Sequence, residues 1–131
     1  AADWLVLGPG SWYTSVIPHL LLPDLREAIC PSAARVCVCM NLAMERRETA
    51  GLGAVGHLEV LERYAPGLEI DAVVADPSAL SDPQGFDAAV RERGARLVKP
   101  ASSCKGKESS LMTVPSASNS KALRCAVMRA W

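Results

Sequence analysis

Three hydroxyl side chains, Ser11, Thr14 and Ser15, follow directly on the turn Gly8-Pro9-Gly10, with Tyr13 set among them. Hydroxyls donate and accept hydrogen bonds, bare glycines let backbone amides approach a ligand, and an aromatic ring can stack on a base or seal a core. Together they suit recognition of a polar or phosphorylated small molecule, with backbone amides making most of the contacts. Asn41 adds an amide that both donates and accepts, or simply forms a turn. Glu48 and Thr49 can hold a sugar hydroxyl or a cation, while Thr49 can equally cap a helix. Arg46-Arg47 suits a diphosphate or bulk solvent. His57 has no Cys or Asp at ligand spacing and no serine arranged for attack, so a core or helix-surface histidine is expected. We therefore expect no catalytic residue and no metal site, and a binding protein rather than a catalyst.

The elements that must position these residues alternate along the chain. Leu5-Val6-Leu7 is apolar without alternation, as a strand buried on both faces would be, and the Gly/Pro turn ends it. Thr14 or Ser15 can cap a short helix that tolerates Pro18 only in its first turn, and Pro23 to Ile29 starts a second helix that Pro31 stops. Arg35 to Cys39 reads as a second strand that delivers Met40-Asn41 to the same edge as Gly8. After a polar loop at 43–53, a helix runs from about Ala54 to Tyr64 with Val55, Leu58 and Leu61 on one face. Ile70 to Ala75 is a third strand that ends in Asp76-Pro77, Asp82-Pro83 opens a helix to Arg93 with Phe86, Ala89 and Val90 inward, and Arg96 to Val98 is a fourth strand. This order predicts an α/β protein with a parallel sheet and helices on both faces, whose strand carboxyl ends form the ligand edge.

With 131 residues the chain makes one domain at most. Half of the residues are hydrophobic but six are aromatic, so aliphatic packing must carry the core. The net charge of zero conceals two unlike parts. Residues 1–98 hold eight arginines, no lysine and thirteen acids, a balance of −5, whereas 99–131 hold six bases and one acid, a balance of +5. All four lysines and seven serines fall in that second part, which shows no sustained period and no interleaved aromatics. We expect 99–131 to be a disordered Ser/Lys-rich tail or the product of a frameshift or truncation, and expect no nucleic-acid partner. The five cysteines have no zinc-type spacing, and Cys30, Cys37 and Cys39 read as small buried hydrophobes in a reducing compartment, the cytoplasm. No apolar run reaches the roughly 20 residues of a membrane-spanning helix.

The run from Val6 to Pro23, VLGPGSWYTSVIPHLLLP, closely resembles a signature of the YvcK/CofD-like family, the gluconeogenesis factors. The likeness continues in Val38-Cys39-Met40-Asn41-Leu42, in Arg47-Glu48-Thr49-Ala50-Gly51 and in His57, and covers about Ala2 to Val98. The resemblance implies a Rossmann-like, doubly wound domain of which this chain is a part. The YvcK branch, which the GPGSWYTS form resembles, implies binding of UDP-N-acetylglucosamine through Gly8, Gly10, Ser11, Tyr13, Thr14, Ser15, Asn41, Glu48 and Thr49. Roles in carbon metabolism, cell-wall synthesis and cell shape, and a homodimer, follow from the same likeness. The CofD branch implies instead a 2-phospho-L-lactate transferase of deazaflavin coenzyme biosynthesis, with a guanylylated donor and Mg²⁺. Three departures stand out. The family's glycine-rich amino-terminal phosphate loop is absent, so the chain resembles a carboxyl-terminal fragment. Ala43 to Arg47 replaces a Thr-Gln-Pro-Gly turn, and the sequence from Lys99 departs from the family's Arg-His-Asp run.

Overall fold

Short apolar runs and amphipathic ones alternate along the chain, and each takes the element its period dictates. The structure is a computed structural model that describes residues 2–40 and 53–100 and the backbone of 125–128. Strand β1 (Trp4–Leu7) leads through a π-helical turn (Trp12–Val16) into helices α1 (Ile17–Leu21) and α2 (Pro23–Ile29). Strand β2 (Arg35–Cys39), helix α3 (Ala54–Tyr64) and strand β3 (Ala72–Val74) follow. A 3₁₀ turn (Pro77–Ala79), helix α4 (Pro83–Glu92), strand β4 (Arg96–Val98) and strand β5 (Cys125–Met128) complete the described elements. Helix α4 begins as its sequence requires: Pro83 occupies the first turn and the Asp82 carboxylate accepts from the Gly85 amide at 2.9 Å.

All neighbouring strands run parallel, in the order β4-β3-β2-β1-β5. Register pairs Leu7 with Val38, Val38 with Val73 and Val73 with Leu97, so side chains of like parity share a face across four strands. On one face Leu7, Val36, Val38 and Val73 join Leu20, Ile29, Leu58, Leu61, Phe86 and Val90 in a single cluster that draws on every described helix longer than one turn. Trp4, Val6, Cys37, Cys39, Ala72 and Val74 form the cluster on the other face, and no described helix contributes to it. Burial of each large aliphatic side chain in such a cluster contributes about 1.5–3 kcal/mol.

The parallel α/β architecture expected from the alternation is thus present, and one detail differs. Among the described residues the helices share one face rather than two. From β1 to β4 the chain always steps the same way along the sheet, and right-handed connections that step the same way lie on the same side. A second difference is β5, which pairs with β1 from Trp4↔Cys125 to Leu7↔Met128 inside the segment whose composition shows no strand period. A third is the helix start: neither Thr14 nor Ser15 caps α1, because both lie inside the π-helical turn that leads into it. Aromatic scarcity is answered as expected, with Trp12 and Phe86 among a mainly aliphatic core.

Cys37 and Cys39, two apart on β2, lie side by side on the second face and are both buried. The hydrogen bond with the Cys39 thiol, then burial, then the negative charge potential of Cys39 and Asp71 push the Cys37 thiol well above its ordinary value. A raised folded-state value favours the neutral thiol, so this contribution is intact below 9.0 and is lost as pH climbs above it. Two outcomes are expected. Folding stability from urea titrations falls as pH rises beyond 9.0, and this fall is reduced in Cys37→Ala. Leu58→Ala lowers stability by about 2–5 kcal/mol, whereas Leu22→Ala, at an exposed position, changes it by less than about 0.5 kcal/mol.

Candidate functional site

A sheet whose strands are all parallel gathers its carboxyl ends at one edge, and here that edge collects Gly8 after β1, Met40 after β2, Ala75-Asp76 after β3 and Lys99 after β4. The order β4-β3-β2-β1-β5 also reverses at β1: the chain moves from β1 to one side through β4, then adds β5 on the other side. In open α/β sheets such a reversal opens the crevice where ligands bind. Gly8 to Ser15 therefore leave the sheet at the place where the fold itself makes room.

Local geometry explains the glycines. Gly8 is buried with φ +89°, and a Cβ there would stand 2.6 Å from the Cys39 carbonyl oxygen. A side chain is excluded on both counts, by the left-handed backbone and by the neighbouring strand. The peptide bond that follows, Gly8–Pro9, is cis. At Gly10 a Cβ would meet the Ser15 side chain, 2.8 Å from its Cβ and 3.0 Å from its Oγ. The space left by Gly10 is thus taken up within the turn itself, where the sequence suggested approach of a ligand.

The π-helical turn is held by the Ser15 amide donating to the Ser11 carbonyl at 2.8 Å and by the Ile17 amide donating to the Trp12 carbonyl. π-Helical turns recur at functional sites because they displace side chains from the regular helical path. Here the amides of Trp12, Tyr13 and Thr14 precede the first helical hydrogen bond, so they have no acceptor within the turn. Amides so placed favour an anion. Tyr13 is 45% exposed and Thr14 is exposed, while Ser11 and Ser15 are half-buried. Of the two roles open to Tyr13, sealing the core is excluded by that exposure, which leaves the ring at the surface. Trp12 does the sealing: it is buried edge-to-face against His57, with ring centroids 5.4 Å apart at 86°. His57 is accordingly a core histidine, as expected, and its Nδ1 lies 2.9 Å from the Gly53 carbonyl oxygen, which accepts from it.

Asn41, Glu48 and Thr49 lie outside the described residues, as do Arg46 and Arg47. Met40 is nevertheless tied down by its amide, which donates to the Val74 carbonyl at 2.9 Å, so the chain enters position 41 from the carboxyl edge. The sequence reading passed over Asp76 and Ser78, treating Asp76-Pro77 only as a strand terminator. The Asp76 carboxylate accepts from both the amide and the hydroxyl of Ser78, at 2.9 and 2.7 Å. This fixes an acid at the edge two strands from Gly8, about 10 Å along the sheet. An acid immediately after a strand of a parallel sheet was the signal available for it. Among the described residues no three His, Cys, Asp or Glu side chains converge as metal ligands would. No described helix is long and apolar enough to cross a membrane.

Comparison with known proteins decides the lineage. The profile of the family described as 2-phospho-L-lactate transferase CofD matches residues 1–113. The chain belongs to the CofD family. The match runs on past Val98, where the resemblance read from the sequence stops, into the Ser/Lys-rich segment. Within the family the chain is similar to proteins named as gluconeogenesis factors. It is 49% identical over 76 residues to the "Putative gluconeogenesis factor" of Mycobacterium tuberculosis, covering 58% of this chain and 22% of that protein. To the "Gluconeogenesis factor" of Halalkalibacterium halodurans it is 38% identical over 81 residues, 62% of this chain and 25% of that protein. The chain thus spans a quarter or less of these relatives. A crystal structure of a UPF0052-family protein from Bacillus halodurans superposes with a TM-score of 0.55 at 26% identity, covering 75% of this chain and 36% of that one. The Rossmann-like character of the fold rests on this likeness as well as on the sheet order.

Gly8→Ala is expected to destabilise the protein by at least about 1–3 kcal/mol, since it combines a left-handed backbone with a steric clash against Cys39. Urea denaturation checks this, and a change below about 0.5 kcal/mol, the scatter of surface substitutions, would contradict the geometry.

Proposed function

We propose that Gly8 to Ser15 form one half of a nucleotide-sugar site, and that UDP-N-acetylglucosamine is the ligand. The observation that carries this reading is the placement of three amides without helical acceptors, on Trp12, Tyr13 and Thr14, at the point where the strand order reverses. Those amides suit a diphosphate, and the exposed Tyr13 ring suits a base or sugar face. Ser11 and Ser15 supply hydroxyls beside them. Asn41, Glu48 and Thr49, which follow β2 in the sequence, are the further contacts of this reading. The names of the relatives support a regulatory role in carbon metabolism, to which we add cell-wall and cell-shape control, in a cytoplasmic protein able to form a homodimer.

The family description favours a second reading, transfer of a phospholactyl group from a guanylylated donor. Its Mg²⁺ would need acidic ligands, and the described residues do not form that donor set: Asp76 stands at the edge without two companions of its kind. Binding remains the first reading because it is the one argued from the amides of Trp12, Tyr13 and Thr14.

Titration of the chain with UDP-N-acetylglucosamine, read by thermal midpoint, separates the readings. Saturating ligand is expected to raise the midpoint by about 5 °C or more, and Ser11→Ala or Asn41→Ala to abolish most of the rise. No shift in folded protein, together with consumption of a guanylylated phospholactate, would replace this reading with the transferase.

A further inference from the structure

His57, in the first turn of α3, touches the residue on which the π-helical turn is founded. Trp12 opens that turn, and its carbonyl accepts the Ile17 amide that closes it. The Trp12 side chain is buried and its indole Nε1 has no hydrogen-bond acceptor among the described residues. A buried tryptophan normally finds a partner for its N–H. Without one, no directional bond fixes the indole, and the packing of neighbouring side chains sets its position. One such neighbour is His57, edge-to-face at 5.4 Å.

The imidazole is itself well anchored. It is 2% exposed, sits in the first turn of α3, and donates from Nδ1 to the Gly53 carbonyl at 2.9 Å. That bond fixes ring orientation and places the proton on Nδ1. The His57 amide also donates to the Gly53 carbonyl, at 3.3 Å, so backbone and side chain converge on one oxygen. An anchored ring thus stands against an indole that has no anchor of its own.

We propose that His57 is a positioning residue for the ligand turn: through Trp12 it holds the Trp12–Val16 backbone in its π-helical form and so keeps the Trp12, Tyr13 and Thr14 amides presented together. This inference rests on the reading of that turn as a ligand site, but the geometry it asserts exists without ligand. The aromatic contact is the operative part, and the hydrogen bond with Gly53 serves to aim it.

The test is amide hydrogen exchange on the ligand-free chain, comparing the Ser15 and Ile17 amides with those of α4, which lies outside the contact. In His57→Ala, protection at Ser15 and Ile17 is expected to fall by about threefold to tenfold, the equilibrium equivalent of losing one aromatic pair, with α4 unchanged. His57→Phe, which keeps a ring and drops the bond to Gly53, should recover most of the loss; His57→Gln should not. If His57→Ala does not fold by circular dichroism, His57→Gln is read in its place. Equal loss in α4, or no loss at Ser15 and Ile17, would overturn the proposal. Titration with UDP-N-acetylglucosamine then reports separately. A selective exchange effect in a protein that does not bind this ligand would remove the proposed function and leave the positioning role standing.

Discussion

At residue 8 a Cβ would stand 2.6 Å from the Cys39 carbonyl oxygen, and the backbone is left-handed there. Much of the molecule hangs on that close approach. It ties the end of β1 to the end of β2 and turns the chain out of the sheet before Pro9. It also sends the chain into a turn that a regular helix would not make. Gly10 continues the pattern on a smaller scale by leaving room for Ser15. Two missing side chains thus determine where the hydroxyls and the Tyr13 ring stand.

The sheet sets this corner at the edge where open α/β folds take up ligands. Parallel pairing brings every strand's carboxyl end to one edge, and the reversal of order at β1 separates the connections there. The same constraint arranges the core. Strands that step in one direction keep their connecting helices on one face, so Leu20, Leu58, Leu61, Phe86 and Val90 meet Leu7, Val38 and Val73 in a single cluster. Trp12 belongs to that cluster as well as to the turn, which couples the packing of the interior to the presentation of the edge amides. Stability and recognition are therefore not separable at this position.

Function follows from the site only as far as its chemistry goes. Amides without acceptors in the turn, flanking hydroxyls and an exposed ring are features that suit an anionic, ring-bearing ligand under the proposed reading. Membership of a family that is described by a transferase, alongside relatives named as gluconeogenesis factors, accords with one fold serving different ends.

The elements were legible because their signals are local. Pro23, Pro31, Asp82-Pro83 and the apolar runs at Leu5–Leu7 and Arg35–Cys39 fix helices and strands through backbone sterics and hydrogen bonding within a few residues. The motif from Gly8 to Ser15 was legible for the same reason, since glycine and hydroxyl chemistry is written in residue type. Other features depend on residues far apart in the chain and had no local trace. The edge-to-face contact of Trp12 with His57 joins positions 45 residues apart, about which neither local pattern speaks. The pairing of β5 with β1 spans more than a hundred residues, and its composition gave no period to read. Asp76 looked like a strand terminator until the sheet placed it on the ligand edge. Sequence by itself determined the strands and longer helices up to Val98, because those choices are settled by nearby atoms. Tertiary structure decided the strand order, the shared helical face and the neighbours of Trp12, because burial is a property of the assembled chain.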